Sequence, residues 1–301
     1  MSALPRSRNS DMKPGSLTGS QAAADEAAIT ARVRGTARRR RVLVWAARAA
    51  ALVLVIGGWQ LLTSAKIVDP FFWGQPSGIA KQLNDWLRHG TAYGSIWLQI
   101  WVTMKEALLG FVYGVAAGVI AGVLLGQIPF LADVLGPYIK VVNAVPRIVL
   151  GSIFTVAFGL GTLPKVLLAA VLVFFVVFFN AFQGVHEVDR NLVNNARVLG
   201  ASRMQITRHV VLPSALTWII ASLHVAFGFA IIGAIVGEFL GAQKGLGLVI
   251  ANAQNNFNPD GVFAAMLIIA IIALTAEGII GQLERRLLAW HPRTGSQAAG
   301  I

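Results

Sequence analysis

Apolar residues dominate long stretches of this chain, and polar residues are concentrated between them. Six stretches are about as long as the ~20 residues that a helix needs to cross the hydrocarbon core of a membrane. They are residues 43–63, 104–126, 137–160, 165–185, 214–239 and 262–283. The third is the weakest, because Lys140, Pro146 and Arg147 interrupt it. Since these runs are far longer than barrel strands, the pattern predicts an all-α fold, a polytopic membrane bundle of six transmembrane helices.

Composition supports a membrane protein and argues against several chemistries. The 301 residues are 56% hydrophobic and 13% charged, whereas soluble domains carry about 25% charged residues. Cysteine is absent and the five histidines are scattered, so no metal-ligand spacing is found. Neither a GxxxxGK[ST] loop nor a nucleophile–base pair is present, so we expect no catalytic site and no metal or cofactor on this chain.

Basic residues are distributed unevenly among the connecting segments. Sixteen lie in the N-terminal tail, in residues 186–213 and near the C-terminus, against four in the external connections. Because basic residues favour the cytoplasmic side, both termini are predicted to be cytoplasmic. Residues 64–95 and 241–260 are then predicted to be external.

The same pattern suggests a domain organisation. Residues 1–42 end in RVRGTARRRR and are predicted to be a disordered basic tail that contacts anionic lipid, with no nucleic acid as partner. Residues 43–291 form the predicted transmembrane domain, and residues 292–301 form a C-terminal tail.

The second apolar run carries glycines at every fourth position. They are Gly110, Gly114, Gly118 and Gly122, followed by Gly126. This spacing places them on one helix face, where another helix can approach closely. Packing within the subunit is the first interpretation, and contact with a second copy of the chain is the alternative.

The connection before the fifth run has the signals of two short helices. Asp189 can cap the first helix, and Gly200 can supply the left-handed residue that ends it. Ser202 and Gln205 fit a capping box that starts the second helix, which Pro213 is expected to stop. The segment therefore predicts a helix-turn-helix on the cytoplasmic face, although its arginines could also serve lipid headgroups alone.

At these residues the sequence resembles the permease subunits of bacterial ABC importers, whose motif is E-A-A-x3-G-x9-I-x-L-P. The matching positions are Ala196, Gly200, Leu212 and Pro213, with Val210 conservative and Asn194 and Asn195 replacing the glutamate and the first alanine. The stretches RVLGASRMQITRHVVLPSAL, EFLGAQKGLGLVI and LERRLLAW are similar to the nitrate/sulfonate/taurine-type branch. The resemblance covers residues 67–291.

The resemblance implies an importer subunit of the bacterial inner membrane. Its partners would be two ATP-binding subunits that hold ATP and Mg²⁺, a second permease copy, and a periplasmic or lipid-anchored solute-binding protein. The residues implied to couple to the ATPase are Asn194, Asn195, Ala196, Arg197, Gly200, Ala201, Ser202, Arg203, Leu212 and Pro213.

Several polar residues within the apolar runs are candidates for the solute pathway. They are Asn143, Arg147, Asn180 and Gln183 near the cytoplasmic end and Glu238 near the outer end. Arg147 offers a cation inside a span, which favours an anionic solute such as a sulfonate, taurine, nitrate or a carboxylate.

An ion-coupled secondary transporter or a channel subunit is the alternative function. It would need carboxylates at mid-membrane depth. The candidates are Glu106, which we expect at the interface, and Glu277, which we expect to face the bundle.

Overall fold

The computed structural model describes residues 19–287, and their regular elements are helices. In chain order these are α1 (Gly19–Ser64), α2 (Pro70–Trp73), α3 (Pro76–Arg88), α4 (Ile96–Gln127), α5 (Pro129–Ala144), α6 (Arg147–Phe158), α7 (Thr162–His186), α8 (Arg190–Val198), α9 (Arg203–Ile206), α10 (Leu212–Leu240), α11 (Leu246–Asn255) and α12 (Pro259–Leu287). A π-helical turn, Thr207–Val211, joins α9 to α10. Within the described range, five helices can cross a membrane by length and composition, and α5 with α6 form a sixth, bent candidate. The all-α membrane bundle is confirmed.

The chain divides into two compact units, the first ending at Leu62 and the second starting at Thr63. The described part of the first unit belongs to α1, which begins at Gly19. Residues 19–42 are therefore helical, where the sequence analysis predicts a disordered tail. Alanine and arginine, which are abundant in this stretch, are strong helix formers, and the stretch lacks proline. The rest of the predicted tail, and residues 292–301, lie outside the described residues.

The third apolar run is broken rather than continuous. The axes of α5 and α6 differ by 84° across a short break. Val145 is extended, with φ −64° and ψ 129°, and it precedes Pro146. Because proline lacks an N–H and disfavours a helical residue before it, the helix must end here. The run therefore supplies two short helices instead of one straight span.

The core of the second unit is formed by α4, α7 and α10, which pack against one another. Small side chains dominate the contact: Ala107 of α4 and Ala226, Ala230 and Ala234 of α10 are fully buried beside Val173 and Val177 of α7. Lipid tails are as apolar as leucine, so helices in a membrane associate mainly through close van der Waals packing. Small residues permit that close approach.

The glycine face of α4 lies against α7, as the four-residue spacing predicts. A Cβ atom built on Gly114 would lie 2.6 Å from both the backbone oxygen of Ala170 and the Cβ of Val173. A Cβ atom on Gly118 would lie 2.9 Å from a backbone oxygen of α7, and one on Gly122 would lie 2.7 Å from another. The face is occupied within the subunit, so it does not serve a second copy of the chain.

A buried network fixes the segment between α10 and α11. Three successive backbone amides at the start of α11 donate to side chains: Gly245 to Gln99 at 2.7 Å, Leu246 to Thr103 at 2.9 Å and Gly247 to Glu238 at 2.7 Å. The Thr103 hydroxyl donates to the other Glu238 oxygen at 2.7 Å. The first amides of a helix have no partner within it, and a negative charge is favourable there. Gln99, Thr103 and Glu238 thus cap α11 from two spanning helices.

Lys165 and Glu106 complete this buried polar cluster. The Lys165 ammonium donates to the backbone oxygens of Leu160 and Gly161, each at 2.8 Å, and attracts both Glu106 and Glu238. Glu106 is 3% exposed and lies inside α4, which starts at Ile96. It is therefore buried between helices, and its position at the membrane interface stays a prediction.

We expect Gly114→Val to destabilise the bundle, whereas Gly278→Val should not. The valine side chain would collide with the α7 backbone, and an overpacked core costs about 1 to 3 kcal/mol or more. Gly278 is a matched control, because it lies in α12 and has open space around its Cβ position. Thermal unfolding of the detergent-purified chain measures the difference. Equal midpoints for the two variants would contradict the packing.

Glu238→Ala should destabilise the chain more than Glu238→Gln. Alanine leaves the Gly247 amide without its acceptor. It also removes one of the two acceptors of the Thr103 hydroxyl and one of the two charges that attract Lys165, a loss of about 3 to 5 kcal/mol. Glutamine keeps one acceptor oxygen and should be intermediate. Glu277→Ala, at an exposed site on α12, is the control. Denaturant titration in mixed micelles provides the comparison, and near-identical stability of all three variants would refute the capping role.

Candidate functional site

The segment between α7 and α10 folds locally as its caps predict. Asp189 accepts a hydrogen bond from the Asn191 amide at 2.8 Å and caps α8. Gly200 has φ +82°, the left-handed conformation expected after the helix. The capping box is formed by Ser202 and Gln205, each side chain accepting from the other's amide. The predicted helix-turn-helix, here called the coupling segment (residues 186–213), is therefore present.

The second helix of this segment does not end at Pro213, contrary to the sequence analysis. Residues Arg203–Leu240 form one continuous helical element, in which the π-helical turn precedes the proline. Leu212 donates to Thr207, five residues back. The wider turn relieves the clash that a proline ring makes with the carbonyl four residues earlier.

Buried apolar side chains attach the coupling segment to the bundle. Val188, Ile206 and Val211 pack with Ala181 and Val185 of α7 and with Ala215 and Ile219 of α10. The Thr207 hydroxyl also donates to the Gln127 side chain at the end of α4. The segment is consequently fixed to all three core helices at one end of the bundle.

The other side of the coupling segment is exposed and partly apolar. Val198, Leu199 and Met204 are 87%, 86% and 75% exposed. Large apolar side chains that are exposed on one short segment are typical of protein contact sites. Of the predicted coupling residues, Asn194, Asn195, Arg197, Gly200, Ser202, Arg203 and Pro213 are exposed, and Ala196, Ala201 and Leu212 are half-buried. Val198, Leu199 and Met204 are not among the predicted coupling residues, although the amphipathic pattern of the segment could have indicated them.

Arg147 lies at the break between α5 and α6. Its Nη2 donates to Asn143 Oδ1 at 2.7 Å, and its guanidinium carbon is 5.7 Å from the centre of the Phe175 ring. The buried Nε has no hydrogen-bond partner within residues 19–287. Among the described residues no carboxylate forms an ion pair with Arg147. The positive charge therefore remains available to a ligand.

The other predicted pathway residues do not join Arg147 and Asn143. Asn180 donates to the Val176 carbonyl of its own helix, and Gln183 donates to Glu187 one turn away. Glu238 is 1% exposed, belongs to the buried cluster and lies at the opposite end of α10 from the coupling segment. Its assignment to an open pathway is corrected to a capping role.

Two further differences concern charged residues in the spans. Glu277 is exposed on α12 rather than facing the bundle, so it is not a partner of Arg147. Lys165 is not among the predicted site residues, although a lysine at the start of an apolar run is a signal of an intramembrane site. Gln99, Thr103 and Glu106 were detectable in the same way, because their four- and three-residue spacing places them on one helix face.

Comparison with known proteins agrees with this architecture. Residues 114–289 match the family described as binding-protein-dependent transport system inner membrane component. A riboflavin transport system permease protein of Chloroflexus aurantiacus is 32% identical over 54% of this chain and 61% of its own length. A putative aliphatic sulfonates transport permease protein of Bacillus subtilis is 33% identical over 52% of this chain and 57% of its own length. A taurine transport system permease protein of Escherichia coli is 28% identical over 80% of this chain and 88% of its own length.

The chain thus spans about three fifths of the first two of these relatives. Among solved structures, an inward-facing conformation of the MetNI methionine ABC transporter has a similar fold, with a TM-score of 0.57 and 21% identity. The alignment covers 64% of this chain and 96% of that one. Since the family match extends over more than half of the sequence and the bundle has the fold of a transporter permease, the chain belongs to the family of binding-protein-dependent transport system inner membrane components.

Proposed function

We propose that this chain is the transmembrane subunit of an ATP-driven importer, working with two ATP-binding subunits, a second permease copy and a solute-binding protein. The observation that carries the proposal is the coupling segment, which is firmly packed on the bundle side and exposes an apolar surface on the other. A groove on an ATPase subunit would cover Val198, Leu199 and Met204. ATP and Mg²⁺ belong to the partners, and transport rather than catalysis is the task of this chain.

The continuous helix from α9 through α10 suggests how movement is transmitted. Displacement of the coupling segment by an ATPase subunit acts directly on α10, because no flexible connection separates them. The far end of α10 carries Glu238, which holds the start of α11. A movement at one end of α10 therefore reaches the opposite surface of the bundle, which is what alternating access requires.

We further propose that the coupling segment and both termini face the cytoplasm of a bacterium. One support is the excess of lysine and arginine in the tails and in residues 186–213. The other is that the two segments predicted to be external, residues 64–95 and 241–260, contact each other. Asp260 accepts from the Gln75 amide at 2.8 Å, and Asn252 donates to Tyr93 at 3.1 Å. These contacts bring the two segments predicted to be external together at one end of the bundle.

An anionic solute is the proposed cargo, and Arg147 is the residue that favours it. Its charge lies where a span is broken and has a neutral partner, Asn143. The relatives include permeases named for aliphatic sulfonates and for taurine, and both kinds of molecule contain a sulfonate group. Another relative is named for riboflavin. The positive charge of Arg147 at the break between α5 and α6 favours a solute with a sulfonate group.

The buried carboxylates offer limited support for the alternative, an ion-coupled transporter. Both Glu238 oxygens accept hydrogen bonds that cap α11 and fix Thr103. The cluster is thus occupied in holding the fold, and an importer driven by separate ATPase subunits remains the better interpretation.

Gly200→Val should uncouple the complex, whereas Pro213→Ala should behave like the unchanged protein. A β-branched residue at φ +82° is strained by about 1 to 3 kcal/mol, enough to weaken ATPase docking about tenfold. The helix continues past Pro213, so replacing this residue leaves the helical path of the segment in place and serves as the control. Solute-stimulated ATP hydrolysis by the reconstituted complex is the measurement. Full stimulation in the Gly200→Val complex would rule out the coupling role.

Arg147→Gln should lower uptake of an anionic solute about tenfold or more, because hydrogen bonds to a charged group contribute about 1.5 to 3 kcal/mol. Arg147→Lys should retain part of the activity, since the charge survives. Lys140→Gln removes an exposed charge from α5 and serves as control. Uptake into proteoliposomes is compared with basal ATP hydrolysis, which should stay unchanged. Normal uptake by an assembled Arg147→Gln complex would exclude this residue from the pathway.

A further inference from the structure

A small cavity opens at the end of the bundle opposite the coupling segment. It has a volume of about 160 Å³ and lies between the end of α3, the turn that precedes α4, and α11. Trp86 and Val249 form apolar parts of its wall, and Tyr93, Asn252, Asn256 and Asn258 supply polar groups. The cavity therefore combines an aromatic surface with several amides.

The walls of this cavity are fixed by the buried polar cluster. Gln99 donates to the Tyr93 carbonyl at 2.8 Å and accepts from the Gly245 amide at 2.7 Å, so one side chain of α4 holds both walls. Glu238 holds the start of α11 through Gly247. Across the cavity, Asn252 donates to the Tyr93 hydroxyl at 3.1 Å. A cavity held in this way exists before any ligand arrives, which reduces the entropy lost on binding.

The size of the cavity limits its occupant. Pockets for small-molecule ligands usually measure roughly 300 to 1,000 Å³. A cavity of roughly 150 Å³ holds a group as large as a six-carbon ring. The volume therefore suits one side chain inserted by a docking protein better than a whole solute molecule. Buried pockets that receive one anchoring side chain dominate the affinity of many protein interfaces.

The chemistry of the wall limits the occupant further. None of the described residues that line the cavity carries a charge. A charged group would lose its hydration there without gaining a counter-charge, whereas amides and a phenol can satisfy a neutral polar group. An uncharged side chain with a hydrogen-bonding end, such as glutamine, asparagine or tyrosine, fits these requirements.

We propose that this cavity receives one uncharged anchoring side chain of the solute-binding protein when that protein docks on the outer surface. The inference rests on the proposed importer function, which places this end of the bundle outside. Docking at the cavity would act on α11, and through Glu238 and α10 it would reach the coupling segment. The cavity is therefore a positioning site for productive docking and does not bind the transported solute.

Asn256→Trp and Asn255→Trp form the test pair. Both residues are exposed and adjacent, but only Asn256 lines the cavity. The permease–ATPase complex is reconstituted in nanodiscs, and ATP hydrolysis is titrated with the cognate solute-binding protein. We expect Asn256→Trp to raise the half-saturating concentration about tenfold or more, as loss of an anchoring contact does. Asn255→Trp should change it less than about twofold and should leave basal hydrolysis unchanged.

The outcomes separate the two proposals. Equal half-saturating concentrations for the two variants would overturn the cavity assignment and leave the importer function standing. Absence of stimulation in the unchanged complex would overturn the importer function, and the cavity assignment with it.

A labelling experiment checks the same surface without relying on activity. The chain has no cysteine, so Ala92→Cys, at an exposed position on the cavity wall, and Gln254→Cys, on the exposed side of α11, each provide one thiol. The binding protein should protect the first from a membrane-impermeant maleimide and leave the second reactive. Equal labelling of the first thiol with and without the binding protein would refute docking at the cavity.

Discussion

The close approach of α4 to α7 is the constraint on which the rest of the structure depends. Glycines on α4 bring the two backbones together, and a Cβ at Gly114 would already collide with α7. Dispersion forces weaken steeply with distance, so this contact supplies packing energy that lipid alone would not. It also brings Glu106 of α4 and Lys165 of α7 within electrostatic reach. Without the glycine face, the buried polar cluster could not be assembled.

The polar cluster solves a second problem, which is to hold irregular backbone next to the membrane-spanning helices. Backbone groups away from water must find partners within the protein. The amides of Gly245, Leu246 and Gly247 find theirs in side chains of α4 and α10. A Cβ at Gly245 would collide with the Glu238 carboxyl group, so a glycine is required where the chain passes this cluster. The charged residues therefore fix one surface of the bundle.

The helix α10 connects the two functional ends of the chain. At its start, the π-helical turn joins it to α9 without interruption, and buried contacts attach the coupling segment to it. At its end, Glu238 holds α11, which forms one wall of the cavity opposite the coupling segment. A movement at either end is thereby transmitted through one helix. Under the proposed importer function, reciprocal effects of the ATPase and the solute-binding protein are expected, since coupling between two sites acts in both directions.

The sequence by itself determined the features that depend on neighbours along the chain. Hydrophobic runs of spanning length, the cap at Asp189, the left-handed Gly200 and the capping box at Ser202 are local, and the structure agrees with each. The glycine spacing determined which face of α4 would be packed. It could not identify α7 as the partner, because spacing on one helix carries no information about another.

Only the tertiary structure decided the roles of the charged and polar residues. Glu106 and Glu238 are far apart in sequence, and their burial beside Lys165 follows from how three helices pack. Tertiary context also decided that the helix passes Pro213, since a π-helical turn absorbs the clash. The physical reason is the same in each case: the energy of a buried charge or a strained turn depends on surroundings contributed by distant parts of the chain.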